Sequence, residues 1–165
     1  MAIQWFPGHM HKARKEIAKI MPKIDLVVEV LDARLPVSSE NPLVNELRLD
    51  KPVIKVLNKS DLADPARTKS WVEYFDSDDS KAMPLCSDNK ADVKKLVALC
   101  KKLAPNRVTA ERPVRVMIMG IPNVGKSTLI NSLLGRRIAK VGNEPAVTKT
   151  QQRFVTHNGL AIYDT

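Results

Sequence analysis

The chain has 165 residues, 44% of them hydrophobic and 27% charged, which is the make-up of one ordinary globular domain and too short for two. No stretch approaches the roughly 18–20 unbroken apolar residues of a membrane-spanning helix, and Cys86 and Cys100 sit at no metal-ligand or disulfide-framework spacing, so a reducing compartment is expected. A net charge of +9 with a pI near 9.7 leaves two readings open, a polyanionic partner (RNA, DNA or an acidic membrane face) and a merely well-solvated basic surface.

The N-terminus, MAIQWFPGHMHKARKEIAKIM, lacks the apolar core of a secretory signal. Its basic character raises a mitochondrial transit peptide, but Pro7-Gly8 and Glu16 interrupt that pattern and serines are absent. Met10, Ala13, Ile17, Ile20 and Met21 fall at helical spacing, which predicts an amphipathic helix over 9–21 that stops at Pro22. Residues 25–31 and 52–57 read as buried strands, 83–86 as a shorter one and 114–119 as a fourth. Helices are expected over 43–49, 65–75, 91–103 and 126–134. Residues 152–156 and 160–163 are strand-like and flank His157-Asn158-Gly159, an Asn-Gly hairpin signal. The alternation predicts a three-layer α/β/α fold with a mainly parallel six-stranded sheet and one antiparallel edge strand. The stretch 103–113 reads as a linker between two halves of one sheet.

Gly120-Ile-Pro-Asn-Val-Gly125-Lys126-Ser127 matches G-x-x-x-x-G-K-[ST] and sits between a strand and a helix, the context that motif requires. Glycines at both ends let the loop curl until successive backbone N–H groups face a phosphate, and the helix N-terminus adds partial positive charge. Lys126 would reach the β- and γ-phosphates and the Ser127 hydroxyl would ligate Mg²⁺. Asn123, Val124, Gly125 and Thr128 complete the expected phosphate contacts. The plainer alternative is a glycine-rich turn before a helix.

Asn58-Lys59-Ser60-Asp61 follows the second strand, at the edge where open α/β sheets bind ligands. Guanine offers two donors on one edge, N1–H and the 2-amino group, and the Asp61 carboxylate can accept both. Adenine has an acceptor at N1 and no 2-amino group, so a mismatch would leave a carboxylate unpaired at a cost of several kcal/mol. Asn58 can address N7 or brace the loop, and the Lys59 stem can lie along the purine face. The competing reading makes Ser60 or Asp61 the cap of the next helix.

The order of these motifs is unusual. N-K-x-D comes first, then Ser87, then the phosphate loop, then a threonine-bearing loop at 145–150, then Asp164-Thr165. Across nearly the whole chain this resembles the circularly permuted GTPases of the YlqF/RbgA type, and the signatures Trp5-Phe-Pro-Gly-His-Met10 and Asp32-Ala-Arg-Leu-Pro36 are similar to that family's. The resemblance implies a Ras-like P-loop NTPase fold, permuted, over residues 1–165, with 1–22 as a basic segment and helix. It implies that Asn58, Lys59 and Asp61 read guanine and that Ser87 and Asp88 lie in the loop beside the base, where the family has Ser-Ala-Lys. Asn123 corresponds to the residue that holds K⁺ against the phosphates. Thr148 corresponds to the switch threonine on Mg²⁺, although Ala146 stands where the family usually has glycine. Asp164 corresponds to the aspartate of D-T-P-G that reaches Mg²⁺ through water; the chain stops before Pro-Gly, and the family's C-terminal RNA-binding domain is absent.

The implied function is GTP binding and hydrolysis in assembly of the large ribosomal subunit, with GTP or GDP, Mg²⁺ and K⁺ bound, the subunit precursor and its rRNA as partners, and a monomer in the cytoplasm, or alternatively the mitochondrial matrix. Lys126 and His9 are the catalytic candidates. Permutation cuts the chain where the second switch would rejoin the sheet, so residues near 9 should start close to the γ-phosphate, and the resemblance implies the same role. A histidine pKa near 6.5 suits orienting or deprotonating water; otherwise His9 is a loop residue packed beside Trp5 and Phe6. Two other functions compete: a guanine-nucleotide-gated RNA or protein binding module that does not hydrolyse, and an ATP-using P-loop enzyme, against which Asp61 argues.

Overall fold

The computed structural model of the protein describes residues 7–104, 112–121, 124–135 and 152–164, with side chains from His11 onward. The strand runs are apolar at almost every position because helices cover both faces of the sheet they form. In β1 (Leu26–Asp32) only the last residue escapes full burial, and β2 (Val53–Asn58) is buried throughout. β3 (Ser80–Leu85) lies beside β2, and β4 (Val114–Met119) lies on the other side of β1. The hairpin of β5 (Gln152–Val155) and β6 (Leu160–Asp164) completes a six-stranded sheet in the order β3-β2-β1-β4-β6-β5. All neighbours are parallel except β5 and β6, the predicted antiparallel edge.

Side chains alternate between the two faces with the period of a strand. Val28, Val30, Ile54, Val56, Val116 and Ile118 form one core with Leu96, Val97 and Cys100 of α4 (Lys90–Leu103) and Leu129, Ile130 and Leu133 of α5 (Lys126–Leu134). Burial pushes the Cys100 thiol up to about 12, so it stays protonated and packs as an apolar residue. Val27, Val53, Met117 and Met119 face the other way and meet Ile17 of α1 (Pro7–Ile20), Met21, and Leu43 and Val44 of α2 (Pro42–Leu47). Further along that face Leu31 and Leu57 pack on Phe75 of α3 (Pro65–Phe75).

The boundaries depart from the periodicity in three instructive places. α1 starts at Pro7, where the ring suits a first helical position, and ends at Ile20, with Met21–Lys23 tightened into a 3₁₀ turn around Pro22. β3 begins at Ser80, three residues before its apolar run, because the backbone ladder starts at the pair Val53↔Ser80 whatever the side chains are. α2 stops at Leu47 rather than 49, and Leu49 takes a left-handed φ of 56°. At the hairpin the expected Asn-Gly turn forms with Gly159 at φ 93°.

Candidate functional site: the carboxyl edge of the sheet

Five parallel strands end at one edge, and every described residue of the nucleotide motifs lies there. The phosphate loop leaves β4 at Gly120 and enters α5 at Gly125. A side chain at Gly120 would sit 3.0 Å from Val124 Cγ2 and 3.2 Å from the Val30 carbonyl oxygen. Gly125 has φ 89°, and a Cβ there would run into the Asn58 carboxamide. Both glycines are therefore demanded by close packing, one of them also by backbone conformation.

That carboxamide joins the two halves of the site. Asn58 is 3% exposed; its Nδ2 donates to the Val124 carbonyl oxygen at 2.9 Å, and its Oδ1 accepts from the Ser87 hydroxyl at 3.0 Å. Of the two sequence-based roles for Asn58, bracing is the one observed, with one N–H of the amide left over for a purine N7. The Ser87 carbonyl oxygen in turn accepts from Ser132 of α5 at 2.9 Å. Loops from β2, β3 and β4, far apart in sequence, are thus held by side chains at the edge. Asp88 is exposed, and Asn89 beyond it caps α4, accepting from the backbone N–H of Ala91 and Asp92.

Lys59 adopts a left-handed conformation, φ 61° and ψ 36°, which turns the chain sharply off β2 into the 3₁₀ turn Ser60–Leu62. Asp61 is exposed in that turn. The helix that follows is capped by Asp64, whose side chain accepts from the Arg67 N–H, so neither Ser60 nor Asp61 serves as its cap. Asp32, paired in register with Asn58, accepts from the Arg34 backbone N–H at 2.9 Å and from its guanidinium at 3.0 and 2.8 Å, and stands 3.7 Å from Lys59 Nζ. Those bonds from Arg34 hold the Asp32 carboxyl below the usual carboxylate range. The Asp-Ala-Arg-Leu-Pro signature therefore acts locally, as an anchor behind Lys59.

Three positions back along the same two strands lies a buried charge cluster. Glu29 and Lys55 are register partners on β1 and β2, with side chains 0% and 6% exposed and 2.5 Å apart. Lys55 also reaches Glu40 at 3.1 Å, and Glu29 accepts from the Asn41 N–H at 2.7 Å. Burial raises the Glu29 pKa while Lys55 pulls against it. The cluster ties the loop after β1 down to the sheet. A cleft of about 390 Å³ with Leu35, Leu62 and Trp71 among its walls lies beside the turn that follows β2, not at the loop between Gly120 and Gly125.

On the phosphate side, Lys126 Nζ lies 2.9 Å from Asp164 Oδ1, an ion pair formed between the start of α5 and the end of β6. That oxygen is buried and makes no hydrogen bond of good geometry among the described residues. Ser127 and Thr128 are half-buried in the first turn of α5. A buried carboxylate oxygen lacking a hydrogen bond of good geometry, paired with the lysine that precedes Ser127 at the N-terminus of α5, fits a hard divalent cation with oxygen ligands such as Mg²⁺. Asn123 and Thr148 lie outside the described residues, as does the His9 side chain, whose backbone belongs to the first turn of α1. Sequence reading overlooked Ser132, the anchoring by Asp32 and Arg34, and the Glu29–Lys55 pair. For the last a signal existed, one charge inside each of two otherwise apolar strand runs.

A parallel sheet in which the strand bearing N-K-x-D precedes the phosphate-loop strand, with both loops joined at one edge, defines a circularly permuted P-loop GTPase fold. Residues 115–165 match the family model described as "50S ribosome-binding GTPase". The chain is 43% identical to ribosome biogenesis GTPase A of Priestia megaterium, over 100% of this chain and 60% of that protein. It is 38% identical to mitochondrial ribosome-associated GTPase 1 of Ictalurus punctatus, over 88% of this chain and 49% of that protein. The crystal structure of GNP-bound YlqF from T. maritima superposes with a TM-score of 0.63 at 35% identity, covering 92% of this chain and 56% of that one. Over its whole length the chain is similar to the ribosome biogenesis GTPase A (YlqF/RbgA) family of circularly permuted GTPases, and it spans about three fifths of the length of the relative from Priestia megaterium.

Proposed function

We propose that this domain binds GTP and GDP at the carboxyl edge, hydrolyses GTP, and works on precursors of the large ribosomal subunit, in a bacterial cytoplasm or a mitochondrial matrix. The observation that carries the reading is the Asn58 bridge, which sets the base-reading loop against the phosphate loop as a purine nucleotide needs. Asp61 accepts the two guanine donors, the Lys59 stem covers the ring, and Ser87 and Asp88 close the far side of the base. The backbone from Asn123 to Thr128 wraps the phosphates, with Lys126 on the β- and γ-oxygens.

Bound Mg²⁺ supplies charge compensation on the β- and γ-phosphate oxygens; Ser127, Thr148 and Asp164 would hold it, and Asn123 would hold K⁺. On nucleotide binding Lys126 exchanges the Asp164 carboxylate for phosphate, which frees that carboxylate to face the metal. His9 is assigned to the attacking water. Its support is positional: α1 joins β1 through residues 21–25 and packs back along the sheet, which returns the first turn of α1 toward the strand ends.

Calorimetric titration with GTP, GDP and ATP, with and without Mg²⁺ and K⁺, tests the binding reading. Both guanine nucleotides should bind at least 100-fold tighter than ATP; equal affinities would remove it. Turnover with large-subunit precursor tests the enzymatic reading. Acceleration that His9→Ala abolishes supports it, acceleration unchanged by His9→Ala removes the histidine from the mechanism, and no hydrolysis at all leaves a nucleotide-gated binding module.

A further inference from the structure

The amino edge of the sheet, opposite the nucleotide loops, collects cations from helices on both faces. α1 ends in Lys19 and is followed by Lys23, while α4 ends in Lys101 and Lys102; all four lysines are exposed. Between the two helix ends lie Arg112 and Arg115, where the chain enters β4. A chain of contacts makes these one surface. The Asp25 N–H donates to the Arg115 carbonyl oxygen at 2.8 Å, and Asp25 pairs with Arg112 at 3.2 Å. The Val114 N–H donates to the Gly159 carbonyl oxygen at 2.9 Å, and a Cβ built at Gly159 would lie 3.4 Å from Lys101 Nζ. Asp25 is the one acid among the described residues of this belt, and its carboxylate is engaged by Arg112 and by the Arg115 backbone N–H.

Lysine in a last helical turn offsets the helix dipole, which would explain Lys19 or Lys101 singly. It does not explain two such turns converging on two arginines. We infer that this basic belt, running from Lys23 across Arg112 and Arg115 to Lys101 and Lys102, is a docking surface for the sugar-phosphate backbone of folded, double-helical RNA. The inference rests on the proposed ribosomal-precursor function and names the face that serves it. Among the described residues, His157 and Asn158 of the hairpin turn border the belt, with Asn158 engaged by Thr156, while the belt itself is lysine and arginine, so phosphate contact is the chemistry it offers. An anionic membrane fits less well, because the apolar faces of both helices are buried against the sheet and none is left to insert. Docking here leaves the carboxyl edge open to nucleotide.

The test compares the two ends of the same two helices. One variant combines Lys23→Ala, Lys101→Ala and Lys102→Ala; the comparator combines Lys12→Ala, Lys94→Ala and Lys95→Ala, removing equal charge from the earlier turns. Binding to a mixed-sequence RNA duplex of about 20 base pairs is measured across a salt series, with GDP affinity and melting temperature followed in parallel. The belt variant should lose at least tenfold in duplex affinity, and its plot of log K against log salt should flatten by roughly 2–3, near 0.9 for each lost phosphate contact. The comparator should lose less than about threefold, and neither variant should change GDP affinity. If melting shifts in the belt variant, the same trio changed to glutamine repeats the comparison. Equal losses in both variants, or none in the belt variant, overturn the belt while leaving the RNA reading intact. A parent protein that binds GDP but ignores duplex RNA overturns both, as does one that binds phosphatidylserine vesicles instead.

Discussion

The base side and the phosphate side of the carboxyl edge are built differently. On the base side Asn58, Ser87 and Ser132 are linked by hydrogen bonds, Asp32 and Arg34 by others, and Glu29 pairs with Lys55 within the same two strands. Such a loop cluster is set before a ligand arrives, and a purine meets groups that need no rearrangement. On the phosphate side Lys126 and Asp164 hold each other. Their positions suit a polyphosphate and a cation, so binding must exchange that contact for two others. The preassembled side should supply selectivity, and the exchangeable side should couple nucleotide to metal.

Breaking the Glu29–Lys55 pair should have the largest effect. Glu29→Gln or Lys55→Met alone leaves a buried charge poorly matched and should cost about 3–5 kcal/mol of stability in urea unfolding. The double replacement Glu29→Leu/Lys55→Met should recover most of that loss, since well-packed apolar residues often match a buried ion pair. If the double variant is as unstable as the singles, the pair is doing something other than anchoring the loop.

The phosphate side comes next. Lys126→Ala removes the cation from both partners and should weaken GTP binding by about 2–5 kcal/mol, roughly 30-fold or more, with GDP affected less. Asp164→Asn should behave oppositely in the absence of Mg²⁺. With the Asp164 charge gone, phosphate no longer competes with that carboxylate for Lys126, so metal-free GDP should bind a few-fold tighter, and the gain from adding Mg²⁺ should shrink. Equal Mg²⁺ dependence in Asp164→Asn and the parent would contradict the exchange.

A smaller effect is expected at the signature behind Lys59. Asp32→Asn should cost about 1 kcal/mol of purine affinity, close to fivefold, alike for GDP and IDP, because it loosens a stem and not a base-specific contact. The pH sign follows from the lowered Asp32 pKa. A carboxyl depressed on folding contributes stability above its unfolded value, about 3.9, and loses it as pH falls through the lower folded one. Titration below pH 4 should therefore destabilise the parent more steeply than Asp32→Asn.

Much of this site could be read from the chain before any coordinates, for a physical reason. Phosphate wrapping and guanine pairing need particular residue types a few positions apart, so Gly120–Ser127 and Asn58–Asp61 announce themselves locally. Short apolar runs likewise revealed β1, β2 and β4. What stayed hidden depends on register. Ser80–Ala82 belong to β3 through backbone pairing that their side chains do not advertise. Glu29 and Lys55 look like two unrelated charges until β1 and β2 are laid side by side. Asn58 left two roles open, and only the approach of Val124, 66 positions later, decides between them.

The central claim, that Asp61 reads guanine at a base pocket assembled in advance, is tested most directly by titrating Asp61→Asn with GDP and XDP. Xanthine carries a carbonyl where guanine has its amino group, so an amide that can donate should reverse the preference. GDP affinity should fall at least 100-fold while XDP binds with close to the parent's GDP affinity. A variant that still prefers GDP, or one that loses both nucleotides equally while remaining folded, would contradict it.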